Sequence, residues 1–117
     1  MPKLLTPRTH GYLDYVTVVL FALAPAVLGL TGLAATLSYA LAAIHLAMTL
    51  ATAFPLGLAR LVPFPLHGLV ELAVAVMLAA LGVFLFDGTA RAFYLVMAAV
   101  IAVVWATTDY EAAPVAA

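Results

Sequence analysis

Four separate stretches of this 117-residue chain are each apolar for about twenty residues, and that feature leaves few folds open. Crossing a hydrocarbon layer of ~30 Å takes about 20 residues of helix. The first stretch runs from about Tyr12 to Leu30, with a helical lead-in from Pro7 that Thr6 is placed to cap. The second runs from about Leu33 to Ala53, the third from near Pro65 to Phe86, and the fourth from about Thr89 to Thr108. Helices are the consistent reading, because a lone strand in lipid leaves its backbone polar groups unpaired. Thr31-Gly32 and Asp87-Gly88 break the pairs, and the segment from Phe54-Pro55 to Pro63-Phe64-Pro65 is the one sizeable loop. Pro25 removes a backbone hydrogen bond inside the first span and is expected to kink it. The tail from Glu111-Ala112-Ala113-Pro114 onward is expected to fray.

Composition agrees with a membrane chain. Hydrophobic residues make up 68% and charged residues 8%, against roughly 45–50% and 25% in soluble domains. Too little polar surface remains to cover a soluble fold of this size. A net charge of −1 excludes the clustered cations that a nucleic-acid partner requires. The absence of Cys excludes disulfides, thiolate metal sites and Cys nucleophiles. Ala22-Leu23-Ala24 has the look of a signal-peptide cleavage site, but Pro25 directly after it obstructs cleavage. Lys3, Arg8 and Arg60 fall on one side of the spans and only Arg91 on the other, which predicts both termini inside.

The chain also resembles itself. At an ungapped offset of 57 residues, His10-Gly11 falls on His67-Gly68 and Asp14 falls on Glu71. The apolar coincidences at that offset prove little in so Ala- and Leu-rich a chain. The rare residues carry the case: His-Gly with an acid four residues after the His, twice, each time at the start of a span. The expected fold is an all-α integral membrane four-helix bundle forming a single membrane domain over 1–117. It consists of two tandem two-helix repeats, about 7–54 and about 64–111. Copies of equal orientation imply a pseudo-two-fold axis along the membrane normal.

Several motifs together resemble the SPW-repeat family of small bacterial membrane proteins. They are a Thr-Pro lead into His10-Gly11-Tyr12-Leu13-Asp14-Tyr15, a mid-span proline, Arg60-Leu61-Val62-Pro63 before the second His, and Thr108-Asp109-Tyr110-Glu111 closing the fourth span. The family's Ser-Pro-Trp is replaced by Ala24-Pro25-Ala26 and Leu81-Gly82-Val83. The resemblance implies a four-helix, two-repeat protein of the bacterial inner membrane, and it brings no activity with it.

Ionisable residues within a membrane raise a functional question. A spacing of four puts His10 with Asp14, and His67 with Glu71, on one helix face one turn apart. The repeat would set both pairs at one depth, where two imidazoles and two carboxylates are able to bind a divalent metal or pass protons. The plainer reading is structural: an acid in the second turn is favoured by the helix dipole, and each His satisfies a nearby acceptor. The glycines after the two histidines would then admit a neighbouring helix. His45, counted along its span, falls near mid-membrane and outside the repeat, since its counterpart is Ala102. There it would ligate haem or a pigment, or hydrogen-bond to Thr17, Thr49 or a carbonyl near Pro25.

Phosphate loops, nucleophile elbows and zinc-protease motifs are absent, and the extramembrane segments are too short for a catalytic domain. The leading expectation is therefore a non-enzymatic membrane protein without a cofactor, packed as an accessory subunit of a larger membrane complex or as a homo-oligomer. The alternative is a cofactor- or metal-binding protein using His45 or the His10/Asp14/His67/Glu71 set. A small transporter or proton path ranks last, because the outer half offers little polar lining beyond Asp87 and Arg91.

Overall fold

The computed structural model describes residues 1–112; the part of the expected frayed tail beyond Ala112 lies outside the described residues. Four helices follow one another: α1 (Pro7–Leu28), α2 (Gly32–Ala51), α3 (Phe64–Ala80) and α4 (Gly88–Thr107). A single π-helical turn, Leu81–Leu85, extends α3. Each span is long and apolar enough to cross a membrane. The longest dimension of the molecule, 42 Å, exceeds the hydrocarbon thickness of ~30 Å.

Local chemistry sets the helix ends. Thr6 is extended, and its hydroxyl accepts the Thr9 N–H at 3.2 Å ahead of Pro7 in the first turn. Gly29 closes α1 in the left-handed region at φ 68°. Pro25 falls in the last turn of α1, so the helix continues only to Leu28 beyond it. At the far end, Arg91 of α4 collects carbonyls of the π turn and of Phe86 just beyond it: its Nε donates to Gly82 and Phe86 at 2.9 Å, and its Nη2 to Val83 at 3.3 Å.

α1 packs chiefly on α2, and α3 on α4. The two hairpins share one core, built from Phe21 of α1, Leu41 and Ala42 of α2, Leu78 of α3, and Tyr94 and Ile101 of α4. Two hydroxyls enter that core already satisfied: Ser38 donates to the Phe21 carbonyl at 2.6 Å, and Tyr94 to that of Ala34 at 2.8 Å. The outward faces are apolar instead, with Val19, Val27, Ile44, Val76, Phe84 and Val103 exposed. That inversion of the soluble pattern is what a lipid-facing bundle requires.

Short backbone ties join the halves at the end that carries the N-terminus. The strands β1 (Thr52–Ala53) and β2 (Val62–Pro63) pair in parallel, Thr52 against Val62. Leu5, which precedes α1, forms a parallel bridge with Thr108, which caps α4. The loop between the strands folds back, with the Leu58 and Ala59 amides both donating to the Leu50 carbonyl. Its Phe54 is fully buried.

Candidate functional site

His10 lies in the first turn of α1 and His67 in the first turn of α3, each with its acid one turn deeper. The helix spacing puts each pair on one face, and the packing turns both faces to the same point. His10 and His67 are fully buried, while Asp14 and Glu71 are 2% and 4% exposed. One donor atom from each of the four lies within 4.8 Å of all the others.

The contacts cross between the pairs. His67 Nε2 lies 2.9 Å from Glu71 Oε1, and His10 Nε2 lies 3.1 Å from the same oxygen. Asp14 Oδ1 is 3.2 Å from His10 Nε2, and Asp14 Oδ2 is 3.1 Å from His67 Nε2. Oδ2 nevertheless has no hydrogen-bond partner. His67 Nε2 makes its hydrogen bond with Glu71 Oε1 instead, and its 3.1 Å contact with Oδ2 lacks hydrogen-bond geometry. A buried carboxylate oxygen in that position lacks the partner that burial normally demands.

Two threonines settle the other ring nitrogens. Thr108 Oγ1 is 2.6 Å from the Val104 carbonyl and 2.8 Å from His10 Nδ1. Thr52 Oγ1 is 2.6 Å from the Met48 carbonyl and 2.6 Å from His67 Nδ1. A hydroxyl so close to a carbonyl oxygen must place its single proton there. Each Nδ1 therefore donates to its threonine, and in the neutral ring the lone pair sits on Nε2, aimed at the carboxylates. Fixing an imidazole through Nδ1–H so that Nε2 faces inward is how proteins orient a metal-ligating histidine.

An aromatic cover separates the cluster from the nearby end of the bundle. The His10 ring meets Phe64, Tyr110 and Phe54 edge-on, at centroid distances of 5.2, 5.5 and 6.4 Å. The Tyr110 hydroxyl donates to Glu71 Oε2 at 3.1 Å. Burial, together with the Glu71 carboxylate, raises the Tyr110 phenol above its ordinary value and holds it as a neutral donor.

His45 needs a correction. It does not stand alone at mid-membrane: its Nε2 reaches Asp14 Oδ1 at 3.4 Å and approaches Glu71 Oε1 at 3.9 Å. Asp14 is seven residues into α1, and His45 is seven residues before Thr52 at the end of α2. At 1.5 Å per residue both lie about 10 Å from the same end. The hydroxyls expected as its partners are engaged elsewhere: Thr17 donates to the Leu13 carbonyl, and Thr49 to that of His45 itself. The crevice beside the ring, about 50 Å³, is far smaller than a porphyrin.

The two glycines also differ from expectation, for the atoms nearest the space they leave belong to the loop and to the segment after α4. A Cβ on Gly11 would meet Leu56 of the loop at 2.8 Å, and one on Gly68 would meet the Tyr110 ring at 2.8 Å. Motif spacing alone does not mark Thr52, Thr108, Leu56 or Tyr110 as site residues. A threonine closing the second helix of each half was the available signal. The ungapped offset hid it by aligning Thr52 with Asp109, one residue out of step.

The chain is thus an all-helical protein with four membrane-length spans and a buried His/Asp/His/Glu group at one end. No protein-family model, curated protein or solved structure matches it.

Proposed function

We propose that this protein binds one divalent transition-metal ion at His10, Asp14, His67 and Glu71. The observation that carries the reading is the fixed orientation of the two imidazoles, whose Nε2 lone pairs face two buried carboxylates. Lone pair against anion is repulsive until a cation lies between them. Ligand atoms ~2.0–2.2 Å from an ion are themselves about 3.0 Å apart at right angles and about 3.4 Å apart at the tetrahedral angle. The contacts of 2.9–3.2 Å among Nε2 and carboxylate oxygens fit that spacing. A dication also cancels the two carboxylate charges in a site that water does not reach.

The same atoms support one other reading, in which each imidazole carries a second proton and the cluster is a neutral ion-pair knot. The protein would then be the accessory packing subunit or homo-oligomer that composition suggests, with the knot pinning the helix starts. The favouring observation is that 2.9 Å and 3.1 Å are also hydrogen-bond distances. Metal content separates the two. Protein extracted in mild detergent from its own membrane should carry about one equivalent of a divalent transition metal per chain. Folded protein that is metal-free, and takes up neither cobalt nor zinc on addition, would return the cluster to the packing reading.

We further infer that the bundle is a tandem repeat about an axis along the membrane normal. In support, Leu5 pairs with Thr108 as Val62 pairs with Thr52, and His10 bonds Thr108 as His67 bonds Thr52. The SPW-repeat kinship, a bacterial inner membrane and cytoplasmic termini belong to the same proposal, on the motifs and the positive-charge bias described above. Reporter fusions at the two termini test the orientation.

A further inference from the structure

The four-residue cluster leaves out a fifth donor that the packing brings to the same point. Resting on the metal-binding reading above, we propose that His45 is a third imidazole ligand of the centre. In that role it sets the preference of the site for ions that accept five or six ligands, the class of manganese, ferrous iron and cobalt, over zinc.

Three features of His45 support this. Its Nε2 stands 3.4 Å from Asp14 Oδ1 and 3.9 Å from Glu71 Oε1, separations suited to two ligand atoms on one ion. Its ring is the nitrogen donor that α2 contributes, so the centre draws on α1, α2 and α3 together. Finally, it is held differently from the other two. His10 and His67 are locked through Nδ1 by threonines, whereas among the described residues the His45 Nδ1 has no such partner. The ring borders a mostly apolar crevice of about 50 Å³ between α2 and α3, lined by Leu41, Ile44, Met48, Val70 and Val74 and reaching Glu71 of the cluster. That space gives the imidazole room to shift toward an ion without disturbing the locked donors.

The metal class follows from ligand number. Two imidazoles and two carboxylates in monodentate contact make a four-ligand site, the coordination that protein-bound zinc prefers. A third imidazole raises the number to five in a mixed nitrogen and oxygen set, which manganese, iron and cobalt accept readily. His45 therefore acts on selectivity as well as affinity.

The test uses the full chain in detergent, with cobalt(II) and zinc(II) as probes of wild type, His45→Ala and His45→Leu, the last filling the crevice. Wild type should show the weak visible bands of five-coordinate cobalt. Both variants should show the stronger bands of four-coordinate cobalt, and their cobalt-to-zinc affinity ratio should fall about tenfold. Unchanged bands and an unchanged ratio in both variants, with thermal unfolding of the metal-free proteins as in wild type, would remove His45 from the centre while leaving the four-residue site intact. Failure of the wild type to bind either ion would overturn the metal centre itself, and the His45 proposal with it.

Discussion

Thr108 Oγ1 lies 2.8 Å from His10 Nδ1, although 98 residues separate them in the chain. Thr52 stands in the same relation to His67, at 2.6 Å. Each threonine spends its proton on a carbonyl of its own helix and accepts the imidazole N–H. The ends of α2 and α4 thereby decide which nitrogen of each histidine faces the carboxylates.

Replacing Thr108 or Thr52 by Val keeps the volume and removes the acceptor. The freed Nδ1–H becomes a buried donor without a partner, a loss of about 1–3 kcal/mol. Metal affinity should fall roughly 10–100-fold, as when an orienting partner of a ligating histidine is removed. Cobalt titration and thermal unfolding of the single variants check both effects.

Asp14→Asn and Glu71→Gln each remove one buried negative charge while keeping the shape. Bound metal should fall tenfold or more in either variant. Breaking a buried, charge-balanced cluster from one side costs about 3–5 kcal/mol, so both variants should also melt earlier. Metal analysis of the folded fraction separates lost binding from lost fold.

Gly68→Ala drives a methyl into the Tyr110 ring, which lies 2.8 Å from the added carbon. Overpacking of this kind costs about 1–3 kcal/mol. Truncating Tyr110 to Ala in the same chain removes the clash, so the double variant should lose less than the two single losses combined. A thermal-unfolding double-mutant cycle gives the coupling.

Tyr110 also predicts an alkaline limit. Its phenol is raised in the folded state by burial and by Glu71, from an ordinary value of 10.0. An acid raised on folding contributes stability that is complete below its unfolded value and is lost as pH climbs above it. Stability should therefore decline above pH 10 in wild type, and less steeply in Tyr110→Phe. Equal slopes in unfolding scans of the two proteins from pH 8 to 11 would count against this coupling.

Arg91 serves the opposite end of the bundle. Arg91→Ala frees the carbonyls of Gly82, Val83 and Phe86, at a cost on the order of 1 kcal/mol. Metal content should not change, because the site lies at the other end of α3. This variant gives a stability control for the cluster substitutions.

Much of this protein is legible in its sequence, for reasons that are local. Twenty apolar residues in a row must cross or leave a ~30 Å layer, so the four spans follow from composition and length. Spacing of four places His10 above Asp14 and His67 above Glu71 on any α-helix. Thr6-Pro7 starts a helix wherever it meets an apolar run. Tertiary structure decided what those faces meet. Helical periodicity tells which side chains share a face but not which way that face turns once four helices pack. The convergence of both His–acid pairs, the arrival of His45 at Asp14 and the capture of each Nδ1 by Thr52 or Thr108 all depend on that rotation. Gly11 and Gly68 read as helix-contact glycines by the same limit: their missing Cβ announces a close neighbour, while only the packed chain reveals that the neighbours are Leu56 and Tyr110.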